Sequence, residues 1–319
     1  GEIVVQSGAD TETRTDRWCG EARDRHLAGL RSSLAAEATG ALAVATLQGA
    51  GITPFLFKGL ANAHLDYPDP SWRTFFDADL LVQRTDFVRA TEVLTAAGFT
   101  RATPPLRTRW EQRFGRAAEL RSPRGAELDL HASLSTGYFG WILDHDRLRV
   151  DSSTVAIGGV QCAAFGASAR LLISGYAMVL SRGPGLRLYR DFAQQLLVSG
   201  ADWEDAVQLA TDGDVVLAEA FLRLDRVLGI RHAGAAWAEN VSASPIARRA
   251  LEYAERAVHE GWSADARSAM LGMSLADRLR FVVGVAFPSR SNLRARRRTV
   301  TSHLRRRDAS GGKGPASRG

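Results

Sequence analysis

Apolar residues recur at helical spacing from about Asp16 to Gln48 (Leu27, Leu30, Leu34, Leu42, Val44 and Leu47), and Gly49, Gly51 and Pro54 then break the pattern. That spacing predicts one long helix. Residues 1–13 are polar and irregular and read as a loose leader. Ile52 to Phe57 is a short apolar run, as in a buried strand, and Leu60 to Leu65 opens a helix. Tyr67-Pro68-Asp69-Pro70 is a loop, and Phe75 to Val82 reads as a second strand. Thr85 suits the N-cap of a helix over Asp86 to Ala97, stopped by Gly98. Alternating runs at Ala117 to Arg121 and Glu127 to Ala132 flank Ser122-Pro123-Arg124-Gly125, and Ser153 to Ile157 meets Val160 to Phe165 across Gly158-Gly159. Both are hairpin patterns. From about Ala167 only helical periodicity is present. The pattern predicts an α+β chain: a mixed-sheet α/β domain over 14–166, a helical domain over 167–288, and a basic disordered tail over 289–319.

Composition sharpens this picture at three points. With 45% hydrophobic and 24% charged residues, the 319-residue chain is an ordinary globular sequence rather than a disordered or disulfide-dense one. The net charge of +6 belongs to one end. From Pro288 onward there are ten basic residues against one acid, which leaves 31 basic and 34 acidic residues in the body. A slightly acidic body is a poor broad surface for nucleic acid, so such a partner is expected only through the tail. Two distant cysteines, Cys19 and Cys162, fit a reducing compartment. No secretory pattern opens the chain, and the apolar run Phe281 to Phe287 is far shorter than the roughly 18–20 residues that cross a bilayer. A cytoplasmic protein without a membrane partner is expected. Finally, only two of the 41 basic residues are lysines, Lys58 and Lys313. Arginine supplies nearly every other cation, which singles out Lys58.

Three segments could carry chemistry. In Asp77-Ala78-Asp79-Leu80-Leu81-Val82, strand alternation puts Asp77 and Asp79 on one face. Paired carboxylates repel unless a cation lies between them, and magnesium takes such hard oxygen ligands. Solvent-facing aspartates on an edge strand are the bland alternative. In Glu127-Leu128-Asp129-Leu130-His131 the same alternation puts Glu127, Asp129 and His131 together, and a carboxylate from there would complete a metal-binding triad. Phe57-Lys58-Gly59-Leu60 lies at a strand-to-helix junction, where glycine permits close approach and lysine meets phosphate as a point charge. Arg73, just ahead of the acidic strand, suits either phosphate or an ion pair. Arg107, Arg109, Trp110 and Arg113 form a basic-aromatic cluster without a clear element, either a lid or acceptor loop or a solvated face.

The order Lys58-Gly59, Tyr67-Pro68, Arg73, Asp77-x-Asp79-Leu80-Leu81-Val82, Gly98-Phe99, Asp129-Leu130-His131 resembles the uncharacterised nucleotidyltransferase-like family of the DNA-polymerase-beta-like superfamily, over about residues 20–200. The resemblance implies a nucleotidyltransferase-like mixed sheet flanked by helices, followed by an all-helical C-terminal part. It implies a transferase that moves an NMP from an NTP such as ATP to a hydroxyl-bearing acceptor and releases pyrophosphate. Asp77, Asp79 and Asp129 would be catalytic and would hold Mg2+ (or Mn2+), while Lys58, Gly59, Arg73 and His131 would contact substrate. Two departures stand out: Leu60 replaces the usual serine, and Gly59 lies 18 residues before Asp77, longer than the common gap. A binding module on the same fold without catalysis, or a toxin-like factor modifying tRNA or protein, are the alternatives.

Overall fold

A computed structural model describes residues 8–181 and 185–294. Helix α1 spans Gly8–Gly49, so it begins within the stretch expected to be a loose leader. Its buried face keeps only Val44 and Leu47 of the expected apolar stripe. Gly29, Ser33, Ala36, Gly40, Ala43, Val44 and Leu47 face inward, while Leu27, Leu34 and Leu42 are exposed. Small residues let α1 approach closely: a Cβ on Gly40 would lie 2.9 Å from Leu60 Cδ2.

Strand β1 (Phe55–Leu56) leads into α2 (Lys58–Leu65), and a 3-10 turn at Pro70–Trp72 precedes β2 (Asp77–Leu81). Helix α3 covers Phe87–Ala96; it starts after Asp86, which makes no side-chain capping bond, so Thr85 is not the N-cap. Strand β3 (Thr100–Arg101), helix α4 (Thr108–Phe114), and the hairpin β4 (Ala117–Arg121) with β5 (Glu127–His131) follow. The basic-aromatic segment is thus helical, with Phe114 turned inward. Short helices α5 (Phe139–Ile142) and α6 (His145–Arg149) lead to the hairpin β6 (Ser152–Ile157) with β7 (Val160–Phe165).

The seven strands form one mixed sheet in the order β3-β4-β5-β2-β1-β7-β6. Pairs β2–β5 and β1–β7 are parallel, and the others are antiparallel. One core fills the space between α1, α2, α3 and the sheet, around Leu47, Leu60, Leu80, Phe87 and Leu128. After Phe165 the described elements are helical. They are α7 (Ala167–Leu180), α8 (Leu186–Leu197), α9 (Trp203–Ala210), α10 (Asp214–Leu228), α11 (Ala233–Ala238), α12 (Pro245–Glu260), α13 (Trp262–Leu271) and α14 (Leu275–Ala286). A second core around Phe165, Leu171, Phe192 and Phe221 joins this part to Leu81 of β2 and to Phe57, the residue after β1. Residues 290–294 of the expected disordered tail are helical and docked, with Asn292 Nδ2 donating to the Pro104 carbonyl at 2.6 Å. The tail from residue 295 lies outside the described residues. No helix among the described residues is long and apolar enough to cross a membrane.

Candidate active site

The parallel register of β2 on β5 sets Asp77 opposite Glu127 and Asp79 opposite Asp129. Alternation then keeps Asp77, Asp79 and Asp129 on one face, while Ala78, Leu80, Leu128 and Leu130 fill the core on the other. Lys58 is the first residue of α2 and has a left-handed backbone, φ 53°. A side chain at such φ is strained. The turn it makes delivers Lys58 Nζ to Asp79 Oδ1 at 2.6 Å. His131 Nε2 lies 2.8 Å from the same oxygen and is fully buried, with the Phe57 ring edge-on at 4.9 Å.

These contacts make neighbouring carboxylates titrate differently. Burial alone would raise the Asp79 carboxyl, but the Lys58 ammonium and the His131 hydrogen bond outweigh it and hold it well below the ordinary range. Burial, then the Lys58 charge, pushes His131 down to about 4, so its imidazole is neutral at pH 7 and donates to Asp79. Burial raises Asp77, with Asp79 adding to the rise. Asp129 goes up to about 7, from burial first and then from Asp79 and Asp77. Asp79, Asp129 and His131 each offer a ligand atom within 4.8 Å of one another.

Not every expected residue faces the site in the same way. Gly59 lies in the cleft, but its missing Cβ makes room for protein: one would meet Phe75 Cβ at 2.8 Å and Arg73 Nη1 at 3.2 Å. The guanidinium of Arg73 is buried and occupied, Nη2 donating to Asp191 Oδ2 at 2.7 Å, Nε to both Asp191 oxygens and Nη1 to the Thr74 carbonyl. Tyr67 Oη also donates to Asp191 Oδ1, and Arg190 Nη2 to the Trp72 carbonyl. Asp66 is gripped by Arg170 and Gln195. The long span between Gly59 and Asp77 is therefore sewn onto α7 and α8.

Leu60 is wholly buried against α1. Hydroxyl groups near Lys58 come instead from Ser135 and Thr136, which line a cavity of about 390 Å³ with it and Arg116. Arg187, on α8, lines a 130 Å³ cleft with Lys58, Asp77 and Asp79. Neither Arg116 nor Arg187 was distinguishable in a sequence rich in arginine, and only the fold brings them to the acidic strands.

The family model for uncharacterised nucleotidyltransferases matches residues 22–223. None of the curated proteins matches the chain. Among solved structures, an antigenic nucleotidyltransferase-like protein from Paracoccidioides brasiliensis is similar over 62% of this chain and 92% of its own, at 20% identity and a TM-score of 0.37. The lincosamide antibiotic adenylyltransferase LnuA, lincomycin-bound, is similar over 48% of this chain and 90% of its own, at 12% identity and a TM-score of 0.33.

Proposed function

The chain belongs to the uncharacterised nucleotidyltransferase family, and from that premise we propose a divalent-metal-dependent enzyme that moves a nucleoside monophosphate from an NTP to a hydroxyl-bearing acceptor. The observation that carries this reading is the register of β2 on β5, which sets Asp77, Asp79 and Asp129 on one face beside Lys58. The donor set suits a hard dication such as magnesium, with manganese as a substitute: carboxylate oxygens that raise one another's proton affinity gain most from a cation between them. Asp77, Asp79 and Asp129 would hold it. When bound, the ion neutralises phosphate charge and acidifies a hydroxyl.

The chain's own groups supply the rest. Lys58 and Arg187 receive the triphosphate, with Ser135 and Thr136 as hydroxyl donors. The acceptor oxygen forms a bond to the α-phosphorus, and the bond from that phosphorus to the β-phosphate oxygen breaks. The electron pair leaves with pyrophosphate. The acceptor proton passes to an Asp129 carboxylate oxygen, which stands on the same face as the paired aspartates and also lines the neighbouring cavity. Neutral His131 fixes the orientation of Asp79, and Arg73 positions the cleft through Asp191 rather than by touching phosphate.

The test is turnover of α-labelled NTP with magnesium or manganese and a cell extract as acceptor source. Wild type should label an acceptor and release pyrophosphate, and Asp77→Asn/Asp79→Asn should lose at least about 1,000-fold. Equal turnover by both proteins sinks the assignment. Tight NTP binding with no pyrophosphate across acceptors would instead favour a non-catalytic binding module.

A further inference from the structure

Resting on the transfer reading above, we propose that the acceptor is a small, near-neutral molecule with an aromatic or apolar face, seated in the aromatic cavity beside Asp129. That cavity holds about 440 Å³, within the roughly 300–1,000 Å³ of small-molecule sites. Trp110, Phe114, Trp141, Trp262 and Phe281 build one side of it. Their rings pack around Phe281, at 5.4 Å from Trp110, 5.5 Å from Phe114 and 6.3 Å, stacked, from Trp262. Trp262 and Phe281 lie on α13 and α14, outside residues 22–223, so this wall belongs to a part of the chain that the family model does not reach.

The cavity lining balances Arg84, Arg101 and Arg116 against Glu111, Glu119, Asp129 and Asp265, and two of its arginines are engaged with the protein. Arg101 forks onto Glu111, while Arg84 donates to the carbonyls of Arg113 and Gly115 and lies 5.0 Å over the Trp141 ring. Besides these, the lining offers aromatic surface together with the polar groups of Asp129, Glu119 and Thr136. A ligand matched to that lining stacks its apolar face on the tryptophans and presents a hydroxyl to Asp129. The adjoining cavity shares Arg116, Ser135, Thr136 and Asp265 with this one and reaches Lys58. Nucleotide and acceptor thus have separate compartments that meet at Arg116, Ser135, Thr136 and Asp265. With its four acids against three arginines, the lining gives no cationic track for a nucleic-acid chain here.

The probes are 4-nitrophenyl β-glucoside and 2-naphthol, with glucose as the polar control. Binding is measured by saturation-transfer NMR and tryptophan fluorescence without nucleotide or metal. The aromatic probes should bind at least about tenfold more tightly than glucose. Ala269→Trp, which fills the cavity, should weaken them about tenfold or more, and Trp262→Ala about threefold. Trp262 is 53% exposed, so its loss leaves the fold in place and decides the matter if Ala269→Trp fails to fold. Aromatic probes that bind no better than glucose, or that bind both variants as well as wild type, overturn the proposal. So does label transferred from NTP to a tRNA or protein fraction with undiminished rate in Trp262→Ala. Because the binding measurement needs no nucleotide, its outcome is separable from that of the transfer test.

Discussion

Asp79 and Asp129 are neighbours in register, yet their proton affinities are driven apart, because Lys58 and His131 both hydrogen-bond Asp79. The consequence for stability has opposite signs at the two positions. Folded Asp129 keeps a proton up to about pH 7, whereas the unfolded chain releases it near the ordinary carboxylate value. Across that window the folded state binds more protons, so Asp129 costs stability as pH rises through it. Asp129→Asn should therefore stabilise the metal-free protein by on the order of 1–3 kcal/mol at pH 8 and by nothing at pH 3. Urea unfolding at the two pH values checks this. A variant no more stable than wild type at pH 8 would show that its burial and its acidic neighbours do not strain the site. For Asp79 the affinity is depressed, so its stabilisation is present above the ordinary carboxylate value and is lost as pH falls below it.

Helix α2 and the segment leading into β2 touch at Gly59, where a Cβ would press on Phe75 and Arg73. Gly59→Ala should cost about 1–3 kcal/mol through overpacking, read as a lower urea midpoint with an unchanged slope. An unchanged midpoint would show that α2 shifts freely on the sheet. Much at this scale was legible in the sequence. Period-two alternation located β2, β4 and β5 and the inward-facing leucines, and glycine punctuation located both hairpins. The inner face of α1 was not legible, because hydrophobicity favours Leu34 while close approach to the sheet favours Gly29, Ala36 and Gly40; Leu34 is 67% exposed. Helix α4 is too short for a period to register. The meeting of Asp79 with Asp129 depends on register between strands some fifty residues apart; alternation offered a carboxylate of the later strand as third member, and the resemblance singled out Asp129.

The two halves of the molecule are joined by buried charge. Arg73, Tyr67 and Asp191 link the segment before β2 to α8, and Asp66, Arg170 and Gln195 link it to α7 and α8. Breaking a buried pair from one side leaves the other charge stranded. Asp191→Asn should lower stability by about 3–5 kcal/mol, and Arg73→Met/Asp191→Leu should recover more than half of that loss. Equilibrium urea denaturation of the three proteins tests both statements. If the double variant is as unstable as Asp191→Asn, packing rather than stranded charge governs the junction. Asp191→Asn should also weaken NTP binding, since Arg187 sits one helical turn away and lines the cleft.

The parallel pairing of β2 with β5 also sets a timetable for the folding chain. The hairpins β4–β5 and β6–β7 close over a few residues and form early, whereas β2 and β5 must find each other across α3, β3 and α4. Until that late step Asp129 remains apart from Asp77 and Asp79, and its carboxylate does not oppose collapse. The site's electrostatic tension is thus deferred until the rest of the fold is there to hold it.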